Sequence, residues 1–515
     1  MANPLPPSYL HIIHNNRIQF EVSIQQGQFK PVFLWQTVLL IALPLLALAV
    51  PRRYGGHYVR YLVFGLVVQG AIDTVRSRRA LLGANGYMVG LIVAWWSIWM
   101  AALLVFHDPE LEFRRIERVP LPLGKRALRN GQDATDKDHL TWQPYPTSIM
   151  HRLNWVLGLL LNMRGPEWNW RISSLDPLPS ALVPCSAAGE PRPVTPEPSY
   201  ARSRLRAVAA TFIKTYLALD LIKLLMMHDP YFWGVVGSSS LPPPFPLTYL
   251  IPLSSVPSSL IYLYRFLLTG TAIYTAVVFV GTLNPLIFLG LSHAFPSASR
   301  MVTSTPLNAP WLYADLFGPL LPSALDHGLA GCWSRWWHQV FRFGFTSTAH
   351  ALVSLLPARC TAHRGTRRGV VAVVVFTLSG LMHACGSYTQ FSPTHPISGP
   401  FLFFILQPVG IAVQEMGAKW LLPAVVPGGA ESLPRWVRRT ANVIFVASWL
   451  LFSARYIMDD FARGGFWLAE PLPISLFRGF GLGLGVEGEG WWCWGEPWFH
   501  SWDGGSFWTR GVRVM

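Results

Sequence analysis

The stretch "VVVFTLSGLMHACGSY", Val373 to Tyr388, decides how this chain is read. It begins as hydrocarbon and then turns to small residues around one imidazole, His383. On a helix, Ser379, Gly380, His383, Gly386 and Ser387 fall along one stripe, so one face is small and polar. Small residues let another backbone, or a substrate, come close. An ionisable group inside a membrane span marks a functional site by default. The competing reading is a histidine that ties helices together through a hydrogen bond to Ser379 or to a neighbouring helix. The segment alone leaves both open.

The surrounding chain supports a membrane setting. Of 515 residues, 51% are hydrophobic and 13% are charged, with a mean hydropathy of +0.33. Soluble domains carry about 25% charged residues. The net charge of +15 invites a nucleic-acid partner, but the basic residues sit in loops between apolar runs, the pattern of the positive-inside rule. No nucleic-acid partner is expected. Five scattered cysteines contain no C-x-x-C pair, which indicates neither a disulfide framework nor a zinc site, so no metal is expected. The first thirty residues lack a basic-then-apolar start, and the reading is of a first span that acts as its own insertion signal.

A span needs about 20 mostly apolar residues. Eight candidates are found, at 32–50, 59–75, 84–106, 207–227, 262–291, 369–390, 398–425 and 440–458. The expected fold is all-α and polytopic. Segment 1–31 would lie on the non-cytosolic side, 32–460 would form the membrane domain, and 461–515 would be a Gly/Trp-rich tail. Charge tests the count. The loop 107–206 holds fourteen Lys/Arg and 292–368 holds seven, while Arg52, Arg53 and "RWVRR" (435–439) mark two more basic loops. Eight spans put all four on one side, which becomes the cytosolic one. Within the first loop, 117–145 reads as a polar excursion and the Pro-rich 176–200 as an irregular linker.

Three further segments combine polar and aromatic residues. "CWSRWWHQVFR" (332–342) places Arg335, His338 and Arg342 on one helical face among tryptophans, either an interfacial anchor or part of a site. "MRGPEWNWRISSL" (163–175) is broken by Pro166 and reads as an interfacial or re-entrant element. "YLALDLIKLLMMHDPYF" (216–232) carries Asp220 and Lys223 at i, i+3, read first as an ion pair that lowers the cost of burial, with substrate contact as the alternative. Nucleophile-elbow, zinc-protease and P-loop signatures are absent.

Taken together, "RGPEWNW" (164–170), "DLIKLLMMHDPYF" (220–232), "WLYADLFGPL" (311–320), "CWSRWWHQVFR" and "FTLSGLMHACGSY" (376–388) occur in this order. The order resembles the wax synthase-like branch of the membrane-bound O-acyltransferases, in particular the fungal acetyltransferases of terpenoid and meroterpenoid metabolites. The segment "WSRWWHQ" departs from the branch by carrying Ser334 at a glycine position, and the tail after 477 is unfamiliar. The resemblance implies helices around a transmembrane tunnel in the endoplasmic reticulum. The catalytic histidine falls on His383 and the second motif residue on His338.

Acetyl-CoA, or a longer acyl-CoA, would enter from the cytosol as co-substrate, and a lipophilic alcohol would meet it from the bilayer. A neutral imidazole suits removal of the alcohol proton, and the oxyanion that follows needs donors. Trp337, Gln339, Ser379, Gly380 and Asp220 are the expected substrate contacts. Arg335, Arg342, Arg364, Arg367 and Arg368 are the expected partners of the CoA phosphates. The rivals are a long-chain wax-ester synthase and, in another class, a proton-coupled transporter. A transporter would favour several intramembrane carboxylates and matched halves.

Overall fold

The computed structural model describes residues 6–119, 139–178, 198–236, 243–250, 256–495 and 497–515. Most of the 176–200 linker and the centre of the 117–145 excursion lie outside them. The long helices are α1 (Tyr9–Gln25), α2 (Leu34–Ala49), α3 (Gly56–Ser77), α4 (Tyr87–Phe106), α5 (Ile149–Leu160), α6 (Pro198–Met227), α7 (Ser258–Ala294), α8 (Leu320–Gly331), α9 (Arg342–Ser354), α10 (Arg364–Thr389), α11 (Ile397–Val425) and α12 (Arg435–Arg463).

Six of these, α3, α4, α7, α10, α11 and α12, are long and apolar enough to cross a membrane, among the described residues. They coincide with six of the eight spans read from the sequence. The other two readings fall on helices of a different kind. Over 32–50 the helix is α2, apolar but only 16 residues long. Over 207–227 it is α6, a 30-residue helix that carries Lys214, Asp220 and Lys223.

Buried charges are matched across the basic loops. Arg60, which interrupts the second apolar run, sits near the start of α3 and bonds Asp108 at 3.0 Å, just beyond the end of α4. Arg52 bonds the same carboxylate at 2.7 Å. Thus the loops at 51–55 and 107–112 lie at one end, as the charge pattern requires. Around the excursion, β1 (Arg115–Val119) and β2 (His139–Gln143) pair antiparallel, with Arg115 opposite Gln143.

The opposite end is closed by the chain termini. There β3 (Phe499–Asp503) and β4 (Arg510–Val514) form a hairpin whose second strand pairs with Lys30–Phe33, and Lys30–Phe33 in turn pairs with Arg78–Arg79. The C-terminal segment also takes both charges of α6. Asp220 accepts from the Leu476 and Phe477 N–H groups at 2.6 and 3.2 Å and from the Ser475 hydroxyl at 2.5 Å. Lys223 donates to the carbonyls of Trp467 and Ala469 and lies 3.7 Å from Glu470. This corrects the expected Asp220–Lys223 pair. Two oppositely charged groups on one face can each be neutralised by a third element, and here a docked tail supplies backbone donors and acceptors in fixed places.

"HDP" ends α6 as its proline suggests, but the aspartate has a larger role. Asp229 is fully buried and binds Arg265 of α7 in a two-pronged pair at 2.7 and 2.8 Å. Breaking a buried pair by removing one partner costs about 3–5 kcal/mol, because the other charge stays behind. Asp229→Ala should therefore lower the melting temperature in detergent and the amount of folded protein in membranes. The wild-type melting temperature in this variant would show that Arg265 finds another partner.

Candidate active site

Helix α10 begins at Arg364 in the basic loop, and His383 lies nineteen residues on. At 1.5 Å per residue, that is about 28 Å along the helix. The small stripe of the sequence has two uses around it. Gly386 receives Tyr87 of α4, whose ring carbon Cζ lies 2.9 Å from where a Cβ would stand. Gly380 receives the start of α11, with the Phe401 ring at 3.0 Å and the Phe404 Cβ at 3.3 Å from such a Cβ. Gly380 is therefore a packing position. Ser379, half-buried, lies one turn before His383 on the same face.

The His383 ring is fixed from two sides. Its Nδ1 is 2.6 Å from the Tyr87 hydroxyl. Its face stacks on Phe404 at 4.5 Å between centroids and 21° between planes. Nε2 has no hydrogen-bond partner among the described residues. A wall of rings leads on from Phe404. Trp333 meets Phe404 at 6.1 Å and Phe376 at 5.6 Å, then Trp337 at 5.7 Å, and Trp337 meets His338 at 5.3 Å. Both expected histidines thus belong to one interior.

The "CWSRWWHQ" segment is not one continuous α-helix. It widens into a π-type turn over Cys332–Trp336, and Trp337 then adopts an extended conformation. Gln339 holds this shape. Its amide donates to the carbonyls of Trp333 (2.9 Å) and Trp337 (2.7 Å), and its oxygen accepts from Arg342 at 3.0 Å. Arg342 also donates to the Ser334 carbonyl. The Gln339 donors are therefore spent on backbone, and Arg342 is a brace. Trp333 Nε1 donates to the buried Gln407 of α11 at 3.2 Å. Trp337 Nε1 has no acceptor among the described residues. His338 Nδ1 is buried without a partner. Burial pushes the His338 imidazole down to about 4, with the Arg164 charge adding to the effect, so it is neutral near pH 7.

A cavity of about 1150 Å³ opens at the basic end between α5, α6, α7 and the 312–317 segment. Its wall includes Arg115, Arg164, Arg204, Tyr274 and Phe317. Phe317 carries the wall to the tryptophan segment, with Trp337 at 5.4 Å and His338 at 5.9 Å. None of Arg335, Arg342, Arg364, Arg367 or Arg368 lines it. Arg335 and the three arginines that start α10 are exposed instead. Arg164 is held by the carbonyls of Ala314 and Asp315, and Arg115 by Gln143 and Asn154. These direct partners are uncharged, while Glu167 and Asp315 share the wall and Asp315 pairs with Arg204 at 2.7 Å. Arg164 belongs to the aromatic strap "RGPEWNW", and Arg115 of β1 bridges to Trp168 of that strap. Gly165 takes a positive φ of 63° there under the Trp170 ring, and Trp168 is fully buried.

Asp220, expected near substrate, has its carboxylate occupied by the C-terminal segment. Tyr87 and Phe404 were not expected. Tyr87 opens an apolar span 296 positions from its partner, and nothing local to "GANGYMVG" marks it.

Residues 313–406 match the membrane bound O-acyl transferase family. This window contains His338, His383, Phe404 and the tryptophan turn. Along 319 residues, 59% of the chain, it is 28% identical to the O-mevalon transferase yanI of Aspergillus niger. Over 427 residues, 79% of the chain, it is 26% identical to the O-mevalon transferase macI of Penicillium terrestre. A shorter stretch of 169 residues, 30% of the chain, is 28% identical to the acetyltransferase spyB of Aspergillus fumigatus. These alignments cover 61%, 81% and 27% of the relatives' own lengths. No solved structure matches the chain significantly.

Proposed function

We propose that this chain, which carries the membrane-bound O-acyl transferase signature over 313–406, is an integral-membrane O-acyltransferase with His383 as its general base. The observation that carries the reading is the state of the His383 ring. Nδ1 is held by Tyr87, one face is held by Phe404, and Nε2 is open in a water-poor interior. The donor is an acyl-CoA, acetyl-CoA in the first place, and the acceptor is a hydroxyl on a lipophilic metabolite of terpenoid or meroterpenoid type. The membrane is that of the endoplasmic reticulum, as the class suggests.

The step balances with these groups alone. Nε2 takes the alcohol proton as the oxygen attacks the thioester carbon. The carbonyl oxygen becomes an oxyanion within reach of N–H donors, for which Trp337 Nε1 and His338 are the candidates. The tetrahedral intermediate collapses, the C–S bond breaks, and the imidazolium returns its proton to the CoA thiolate. The products are ester and CoA thiol, with no acyl-enzyme. CoA reaches this centre from the basic end, where the cavity and its arginine wall stand. The matches to proteins named O-mevalon transferases, one of them over 79% of the chain, favour a second donor, one that carries a mevalon group.

The test uses microsomes that contain the full chain, radiolabelled acyl-CoA thioesters of graded length and candidate lipophilic alcohols. Labelled ester with short donors is the expected result. Ester only with long-chain donors would assign the wax-synthase reading. Solute uptake with no ester would overturn the enzyme reading in favour of transport. His338→Ala should lower kcat about 10²-fold, the size of losing one oxyanion donor. An unchanged kcat would remove His338 from the reaction.

A further inference from the structure

The C-terminal segment spends its polar groups inside the fold and leaves its rings outside. Beside the Asp220 contacts its main chain doubles back on itself. The Ser475 N–H donates to the Trp491 carbonyl, and the Cys493 N–H to the Pro473 carbonyl, both at 2.9 Å. Two indole N–H groups are also spent on main chain, Trp492 on the Trp494 carbonyl and Trp494 on the Glu470 carbonyl at 3.2 Å. Glu489 is taken up as well, by the Tyr9 hydroxyl and the Gly485 N–H, each at 2.9 Å. What remains outside is a ridge of aromatic carbon. Phe480 meets Trp491 at 4.8 Å, Trp492 meets Trp494 at 6.3 Å, and Trp494 meets Trp498 at 4.5 Å, next to Phe499 at the start of β3. Phe480 is 72% exposed and Trp492 62%, and of the ridge only Trp494 is half-buried. Contiguous apolar surface of this kind marks a contact with a partner or a membrane.

The neighbours of the ridge select its occupant. On one side stands α6, which stacks on the long apolar α7 through Phe212 and Phe279 at 5.2 Å. It exposes Ile213, Leu217 and Leu221, spaced i, i+4, i+8 along one face. Tyr216 of the same helix donates to the Ile474 carbonyl at 2.7 Å, and Ile474 pairs with Trp492. On the other side Phe499 lies opposite Val514, and Val514 lies opposite Val32. Directly after that strand, the apolar α2 exposes Leu34, Trp35 and Val38. The ridge thus runs between two rows of apolar side chains that face outward from helices of the membrane domain. Indole rings collect at the membrane–water interface, where one part of the ring system is apolar and the other wet. The sequence holds no Lys or Arg between Arg478 and Arg510, so attraction to phosphate headgroups plays no part. A stretch bare of cations also suits the end away from the basic loops.

We propose that the ridge from Phe480 to Phe499 is seated in the headgroup region of the non-cytosolic leaflet, which makes the C-terminal segment an interfacial membrane anchor. The partner is lipid, held by the apolar area of the rings and not by charge. The anchor fixes the segment from outside, as Asp220 and Lys223 of α6 fix it from inside. It stands independently of the acyl-transfer reading above.

The test places the full chain in nanodiscs of phosphatidylcholine that contain a phospholipid with a diazirine close to its headgroup. After illumination, mass spectrometry locates the lipid adducts. The expected result is adducts on Phe480 and within 491–499, at yields comparable to those on the exposed rows of α2 and α6. Trp492→Glu should lower the yield at 491–499 by about two- to fivefold, the size for a charge at the interface and not at the bilayer centre. The yield on α2 should stay as it was. Phosphatidylserine in place of part of the phosphatidylcholine, or high salt in place of low, should change the ridge yield by less than about twofold, since no exposed cation is involved. A ridge without adducts, in discs where α2 and α6 are labelled, overturns the proposal. So does a yield governed by salt or by anionic lipid. A dimer crosslinked through the ridge also overturns it, because the surface then belongs to a second copy of the chain. Should Trp492→Glu not accumulate as folded protein, the adduct map of the wild-type chain decides alone.

Discussion

Replacing His383 with alanine should cut acyl transfer by about 10²–10⁴-fold, the contribution of a positioned general base. The protein should still insert, since the span keeps its apolar length and the small stripe is unaltered. Some stability is lost as well. The Tyr87 hydroxyl keeps no partner in this variant, and an orphaned buried hydroxyl costs about 1–3 kcal/mol. His383→Gln separates the two effects, because an amide offers Tyr87 hydrogen bonding and cannot take up a proton. The expected pattern is a melting temperature nearer wild type for the glutamine variant and equally low ester formation for both. Ester formed at the wild-type rate by either would remove His383 from the chemistry. Initial rates per mole of folded enzyme, with saturating donor and acceptor, are the measurement.

The site was legible where local pattern and chemistry coincide. His383 stood out because an imidazole is costly inside a span, and Gly380 and Gly386 because small residues on a helix face announce close neighbours. Both glycines are filled, by Phe401 with Phe404 and by Tyr87. What filled them was hidden. Tyr87 and Phe404 look like any other residues of apolar runs, and their meaning depends on which helix lies beside α10. Gln339 illustrates the opposite error. Its residue type suits an oxyanion donor, yet the π-type turn leaves backbone carbonyls exposed at Trp333 and Trp337, and the amide is consumed in satisfying them. A polar residue beside a distorted helix answers first to the orphaned backbone groups.

Charge was read well in bulk and poorly in pairs. Two of the four basic loops, at 51–55 and 107–112, meet where Arg52 and Arg60 share one aspartate. The i, i+3 spacing of Asp220 and Lys223 suggested a local pair. Each instead holds the C-terminal segment, a contact 255 positions away for the Ser475–Asp220 bond. The same distance explains why the tail had no account from sequence. Its order comes from α6 and from Lys30–Phe33, far away in the chain. Likewise the arginines at the start of α10 are expected at the CoA phosphates because they lie in a basic loop on the cytosolic side, whereas the cavity is lined by Arg115, Arg164 and Arg204.

The Tyr87–His383 distance is set by how closely α4 and α10 approach, and Gly90→Val should destroy that approach. A Cβ at Gly90 would stand 2.0 Å from the Cys385 carbonyl oxygen and 2.6 Å from the Thr389 hydroxyl. The obstacle is backbone, so no rotamer change relieves it and the helices must part. The Gly90 N–H bond to Thr389 at 2.9 Å goes with them. Tyr87 precedes Gly90 by one turn, and Cys385 follows His383 by two residues. A displacement at this crossing therefore passes straight to the hydroxyl–imidazole pair. Misplacing a reacting group by about 1 Å costs about 10²-fold in rate. Forcing extra volume into a packed core costs about 1–3 kcal/mol, and here the collision with main chain puts the loss at or above the top of that range. The expected result is a transfer rate at least about 10²-fold down with a lowered melting temperature in detergent. Gly270→Ala, where a Cβ would meet nothing within 4 Å, should leave both unchanged. A Gly90→Val enzyme that keeps its rate would show that the ring of His383 is held by Phe404 and α11 alone.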